Sequence, residues 1–179
     1  MSQALQDAGI NMKIKKIHHV AYRCKDAKET VNWYKDNLKM DFVLAIAEDR
    51  VPSTGEDDPY MHVFMDAGNG NVLAFFELPT QPEMGRDLNT PVWVQHIAFE
   101  VADLDALLAA KDHIEGQGVE VIGPTCHGIF QSIYFFDPNG HRLELACNIG
   151  TPDQYAEMQR TAPMMLREWS EAKKAPRHK

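Results

Sequence analysis

The 179-residue chain predicts an α+β fold of two βαβββ modules followed by C-terminal helices. Three observations carry that expectation. The first is an internal repeat: "HVAYRCKDAKETVNWYKDNLKMDFV" begins at His19 and "HIAFEVADLDALLAAKDHIEGQGVEVI" at His96. Each copy opens with His, a β-branched residue, Ala and an aromatic, and each has an Asp seven positions after the His, at Asp26 and Asp103. The second is a change of apolar period after that Asp, from strand-like to helical. The third is the close of each copy, an apolar strand with one Glu inside it: "NVLAFFELP" with Glu77 and "HRLELAC" with Glu144.

The elements follow in order. "HHVAYRC" reads as a strand. Asp26 is placed to cap a helix whose apolar positions include Val31, Trp33, Tyr34 and Leu38. The polar stretch "AEDRVPSTGEDDP" reads as a loop that the second copy lacks. In the second copy "WVQHIAFEV" reads as a strand. Asp103 precedes Leu104, Leu107, Leu108 and Ile114 at helical spacing, and Gly116 and Gly118 stop that helix. In "FFDPNGHRLEL", Asp137-Pro138-Asn139-Gly140 suits a type I turn closed by a glycine bulge. That turn pairs Asp137 with His141 and therefore Tyr134 with Glu144. Ser132 and Tyr134 are then expected on the face of Glu144, with Ile133 and Phe135 toward the helices.

A third segment, "GTPDQYAEMQRTAPMMLREW", reads as helical. Thr151 and Gln154 fit a capping box with Pro152 at the first helical position, and Pro163 is expected to divide the segment. Met158, Met164, Met165 and Trp169 read as packing surface against the domain or a partner chain. The expected organisation is a flexible tail over 1–13, module 1 over 14–80, module 2 over 92–150, and a C-terminal helical appendage with a basic tail over 151–179.

Composition narrows the class. An apolar content of 44% and a charged content of 25% suit a soluble globular protein. A net charge of −8 argues against a nucleic-acid partner, which calls for a basic face. No apolar run approaches the ~18 residues of a membrane span, and "MSQALQDAGINMKIK" has no apolar core of a secretory signal. The cysteines, Cys24, Cys126 and Cys147, are odd in number and lack a C-x-x-C, which suits a reducing, cytoplasmic setting. Cys126 beside His127 is a minor nucleophile candidate, because neighbours in a strand point apart.

Strand alternation sorts the polar residues. His19, Ala21 and Arg23 share one face, with His18 on the other. His96, Ala98 and Glu100 share a face, as do Phe75 with Glu77, and Arg142 with Glu144 and Ala146. Each strand so has one apolar face for helices and one face bearing a ligand-type residue. A buried carboxylate needs a partner, since a bare charge costs several kcal/mol to desolvate. Two imidazoles with one or two carboxylates suit Fe(II), Mn(II), Ni(II), Co(II) or Zn(II).

At these residues the chain resembles the vicinal oxygen chelate superfamily, which includes glyoxalase I, extradiol dioxygenases and bleomycin resistance proteins. The likeness covers about residues 14 to 150, and its most specific pieces are "HHVAYRCKDAKETVNWYKDNL", "VQHIAFEV" and "YFFDPNGHRLEL". The resemblance implies paired modules forming an incomplete barrel around a metal site, commonly in a homodimer. By position it implies His19, His96 and Glu144 as metal ligands, with Glu77 as a fourth. It implies a divalent metal that chelates two neighbouring oxygens of a small organic substrate.

Two branches divide the remaining residues. The extradiol-dioxygenase branch, which the reading favours, assigns catalysis to His127 and Tyr134 and favours Fe(II). Phe75, Phe76, Phe130 and Tyr134 would then line an aromatic pocket, with Ser132 also facing the substrate. The base histidine that this branch holds beside its metal ligands has Met65 at its place, and His62, three residues away, is read as lying on the other strand face. The glyoxalase branch uses Glu77 as metal ligand and proton-moving base, and Arg23 to bind substrate. A bleomycin-resistance-type binding protein is the third reading, but such proteins lack the metal residues that are intact here.

Overall fold

The computed structural model describes residues 14–175. The expected flexible tail over 1–13 and the last four residues of the basic tail lie outside the described residues. The chain forms two compact units that divide between Asp87 and Leu88.

Unit 1 contains β1 (Val20–Cys24), α1 (Ala27–Leu38), β2 (Asp41–Arg50), β3 (Asp57–Asp66) and β4 (Val72–Glu77). Its sheet has the order β1-β4-β3-β2, with β1 parallel to β4 and the other pairs antiparallel. Unit 2 repeats the plan with β5 (Ile97–Glu100), α2 (Leu104–Gly116), β6 (Ile122–Cys126), β7 (Phe130–Phe136) and β8 (Arg142–Asn148). Its sheet has the order β5-β8-β7-β6, again with one parallel pair. The sequence repeat is therefore a structural repeat, and the fold is α+β.

Each helix begins where its Asp predicts. The Asp26 carboxylate accepts the Glu29 N–H at 2.7 Å, and Asp103 accepts the Ala106 N–H at 2.9 Å. Each helix then covers one face of its own sheet. In unit 1 the fully buried Tyr34 lies 4.9 Å, ring to ring, from Phe75, over a floor of Val63, Met65 and Leu73. In unit 2 Leu107 and Ile114 of α2 are fully buried, as are Ile133 and Leu143 of the sheet. Burying each such aliphatic side chain contributes about 1.5–3 kcal/mol.

The β7–β8 hairpin has the expected register. The Asp137 N–H donates to the His141 carbonyl at 3.0 Å, and Tyr134 pairs with Glu144. Gly140, at φ 91°, supplies the left-handed residue that closes the turn.

Three local expectations differ. The polar stretch 47–59 is mostly strand, with only residues 51–56 outside β2 and β3. Cross-strand pairs such as Glu48 with Tyr60, and the Arg50–Asp57 ion pair at 2.7 Å, carry the ladder outward. The strand around His96 is shorter than expected, because β5 starts at Ile97 and Trp93 is 65% exposed in a turn. Pro163 does not divide the C-terminal segment. A single helix, α3 (Pro152–Ala172), runs through it. Proline forfeits one backbone hydrogen bond, and the turns on either side keep theirs. The predicted capping box of Thr151 and Gln154 forms at the helix start.

Candidate metal centre

In unit 2 the expected donors meet. His96, one residue before β5, places its Nε2 2.9 Å from Glu144 Oε2. Its Nδ1 lies 3.0 Å from the Val94 carbonyl oxygen. A carbonyl only accepts, so Nδ1 carries the N–H in that contact, and Nε2 is the nitrogen turned toward the carboxylate. Glu144 is 3% exposed, and its other oxygen accepts the Ser132 hydroxyl in a short hydrogen bond. Both donors are thus held by their outer atoms, while Nε2 and Oε2 point at each other.

That arrangement fits a metal. A ligating histidine typically gives its second N–H to a carbonyl or carboxylate, which sets the ring's angle and its tautomer. The Val94 carbonyl does this for His96, and Ser132 does the equivalent for Glu144.

Tyr134 stands beside this pair, 7% exposed. Its hydroxyl is 2.8 Å from His127 Nε2, and its ring meets the His96 ring edge-on at 6.1 Å. The Arg142 guanidinium lies 4.0 Å over the Tyr134 ring and donates to the Trp93 carbonyl at 2.8 Å. Burial pushes the Tyr134 phenol above its ordinary value, and the neighbouring Glu144 charge adds to that, against the Ser132 contact and the Arg142 charge. His127 itself stacks on Phe130 at 4.7 Å. The backbone explains the gathering. Ser132, Tyr134, Glu144 and Arg142 share one sheet face through the register of β7 with β8, while Ile133, Phe135, Leu143 and Leu145 take the helix side.

In unit 1 the outcome is mixed. His19, one residue before β1, packs against Phe64 at 5.8 Å and His62 at 6.1 Å between ring centroids. His18 does not point away from it as expected. The two Nδ1 atoms are 2.8 Å apart, because both residues precede the strand and escape its alternation.

Glu77 and Phe75 lie on the opposite side of the sheet from His19. Their register partners are Cys24 with Glu77 and Tyr22 with Phe75, whereas Ala21 pairs with Ala74. Phe75 is fully buried under α1, and the Glu77 carboxylate accepts the N–H of Ala27, the first residue of α1, at 2.7 Å. Phe76 occupies the His19 side instead. Arg23 is on that side too and donates to the Pro82 carbonyl at 2.5 Å.

His62 lies on the opposite strand face from Met65, as expected, and that face is the one on the His19 side. It pairs with Phe76 and with Ile46, and so shares the side of His19. It stacks on Phe76 at 3.6 Å, is 8% exposed, and its Nε2 has no hydrogen-bond partner among the described residues. Burial pushes its pKa down, and the adjacent His19 adds to this. Counting parity from Phe76 rather than from Met65 would have found that His62 and His19 share a side. Among the described residues no three His, Cys, Asp or Glu side chains are grouped as a ready-made ion site. Unit 2 presents the pair His96 and Glu144, and unit 1 presents His19.

Comparison with known proteins agrees with this plan. The model of the glyoxalase/bleomycin resistance protein/dioxygenase superfamily matches residues 16–145. A chlorohydroquinone/hydroquinone 1,2-dioxygenase of Sphingobium indicum is 29% identical over 139 residues, 72% of this chain and 42% of that protein. A biphenyl-2,3-diol 1,2-dioxygenase of Rhodococcus globerulus is 34% identical over 62 residues, 34% of this chain and 33% of that protein. The chain thus spans less than half the length of these curated relatives. Among solved structures, the trypanothione-dependent glyoxalase I of Leishmania major superposes with a TM-score of 0.57 at 19% identity, over 88% of this chain and 99% of that one. A fosfomycin resistance protein of Listeria monocytogenes, solved with Mn(II), gives 0.56 at 19% identity, over 80% and 99%. With its matched repeats and their common topology, the chain belongs to the glyoxalase/bleomycin resistance protein/dioxygenase superfamily.

Proposed function

We propose that the chain is a metal-dependent, extradiol-type dioxygenase that opens the ring of a small dihydroxylated aromatic substrate. The observation that carries this reading is the Tyr134 hydroxyl, 2.8 Å from His127 Nε2, on the sheet face that bears Glu144. His19, His96 and Glu144 would hold the ion, with Fe(II) favoured. Two imidazoles and one carboxylate leave positions for a chelated substrate and for O₂, and a bound ion supplies Lewis acidity and a template for two neighbouring oxygens.

The chain's own groups have separable tasks in this reading. Tyr134 and His127 form a hydrogen-bonded pair that can donate to a substrate oxygen and relay its proton. A phenol is protonated at neutral pH, and burial moves the Tyr134 hydroxyl further from ionisation, so it is available as a donor. Ser132 holds the Glu144 carboxylate in place. His62, neutral through burial and with Nε2 unengaged, is a second proton acceptor on the His19 side. Phe76 and Tyr134 offer aromatic surface; Phe75, under α1, does not. Both curated relatives named above carry dioxygenase activities in their names, which supports the same branch.

The glyoxalase reading drew on Glu77 and Arg23. Both are engaged within unit 1, Glu77 with the Ala27 N–H and Arg23 with the Pro82 carbonyl. The test is direct. The chain is purified anaerobically, loaded with Fe(II), and given a panel of catechols and hydroquinones under O₂. Consumption of O₂ with formation of a coloured ring-cleavage product is expected. No O₂ uptake, with turnover of a methylglyoxal–glutathione hemithioacetal on Ni(II) or Zn(II), would overturn it.

A further inference from the structure

Arg142 lies two residues before Glu144 in β8 and on the same sheet face. Two contacts fix it. Its guanidinium carbon lies 4.0 Å over the Tyr134 ring, and Nη1 donates to the Trp93 carbonyl at 2.8 Å. Stacking holds the plane of the group, and the carbonyl holds its rotation within that plane. The other edge, made by the N–H of Nε and one N–H of Nη2, has no acceptor among the described residues. That edge presents two parallel N–H groups, the fork that takes a carboxylate with two hydrogen bonds.

The charges of unit 2 point the same way. Residues 88–150 contain two Lys or Arg, Lys111 and Arg142. Lys111 has Glu115 at 3.7 Å and donates to the Gly123 carbonyl. Arg142 is half-buried and has no carboxylate partner among the described residues. The acids of its own sheet face are engaged elsewhere, Glu144 with His96 and Ser132, and Glu100 with Asn148.

We infer that Arg142 reads a carboxylate on the substrate, so that the preferred substrates are dihydroxylated aromatic acids. This rests on the ring-cleaving reading above and names the substrate class of that same site. Residues two apart on a strand stand roughly 7 Å from one another. That is close to the span from the hydroxyl-bearing edge of an aromatic ring to a carboxyl group across it. A ring whose hydroxyls face the Glu144 end therefore presents its carboxylate to Arg142. The fork is held before the substrate arrives, so little rotamer freedom is lost on binding. A divalent ion beside Glu144 would offset the glutamate charge and leave the site attractive to an anion. The opposing account makes Arg142 a brace only, tying the segment before β5 to Tyr134. The two accounts differ in which ligands suffer when the residue changes.

Anaerobic calorimetric titration of the Mn(II)-loaded chain reads binding without turnover. The probes are 3,4-dihydroxybenzoate and 2,3-dihydroxybenzoate, each against its own methyl ester, which keeps the hydroxyls and removes the charge. At least one acid is expected to bind about ten- to a hundredfold more tightly than its ester, as a charge-assisted pair allows. In Arg142→Gln that ratio is expected to fall to about one. In Arg142→Lys, which keeps a point charge without the fork, it is expected to fall part of the way, and this variant carries the test if the Gln variant does not fold. Equal binding of acid and ester by the wild type overturns the inference and leaves the ring-cleaving reading standing. A ratio unchanged by either substitution also overturns it, including the case in which acid and ester weaken together, which is the brace. If neither acids nor esters bind the wild type, the ring-cleaving reading itself fails and the inference falls with it.

Discussion

Glu77 decides between two accounts of unit 1. If its carboxylate anchors α1, Glu77→Ala removes a charge-assisted hydrogen bond to the first free N–H of the helix, held at 2.7 Å. Hydrogen bonds to charged groups contribute about 1.5–3 kcal/mol net. A carboxylate at a helix N-terminus adds about 0.3–1 kcal/mol through the helix dipole. Ala27 is 5% exposed, so water only partly replaces the lost acceptor. A loss of about 2–3 kcal/mol is expected, which lowers Tm by about 4–12 °C for a chain of this size. Glu77→Gln keeps an acceptor but not the charge, and is expected to lose about 1 kcal/mol. Thermal unfolding followed by circular dichroism reads the stability, and calorimetric titration with Mn(II) or Fe(II) reads the metal. The anchor account predicts a destabilised Glu77→Ala with unchanged metal affinity. An unchanged Tm together with a metal affinity lowered tenfold or more would refute the reasoning and return Glu77 to the ligand set.

Two other perturbations follow from unit 2. Ser132→Ala leaves the buried Glu144 carboxylate without its hydroxyl partner and is expected to lower the metal-free stability by about 1–3 kcal/mol, read by urea unfolding. The pH dependence centres on Tyr134. Its folded pKa is raised above 10.0 by burial, so its contribution is fully present below that value and is lost as pH rises through the folded one. A spectrophotometric titration of the metal-free wild type minus Tyr134→Phe should show one phenol ionising later than a free tyrosine. A phenol that ionises early contradicts the burial argument.

Much of the fold was legible because the two copies check one another. The Asp caps, the hairpin at Asp137 to Gly140 and the pairing of Tyr134 with Glu144 are local, and local chemistry dictates them. The side of the sheet was harder to read. Phe75 and Glu77 share a face, as alternation requires, but alternation alone does not say which face the helix covers. Burial does, and Phe75 and Phe76 are equally apolar, so the sequence offers no contrast between them. The same ambiguity hides that the face of His62, opposite Met65, is the side of His19. His18 and His19 escaped the rule because they precede β1. Pro163 reads as a break in the sequence because proline lacks an N–H, but a helix with intact turns on both sides tolerates one such gap. The hairpin over residues 47–59 was hidden by its polar composition, which on an exposed ladder is no obstacle to pairing.

The central claim is that His19, His96 and Glu144 together hold one divalent ion. Calorimetric titration of the metal-free chain with Mn(II), and anaerobically with Fe(II), tests it most directly. The account predicts one ion bound per chain, binding abolished in His19→Ala, His96→Ala and Glu144→Ala, and binding retained in Glu77→Ala. No saturable binding by the wild type, or undiminished binding by His96→Ala, would contradict it.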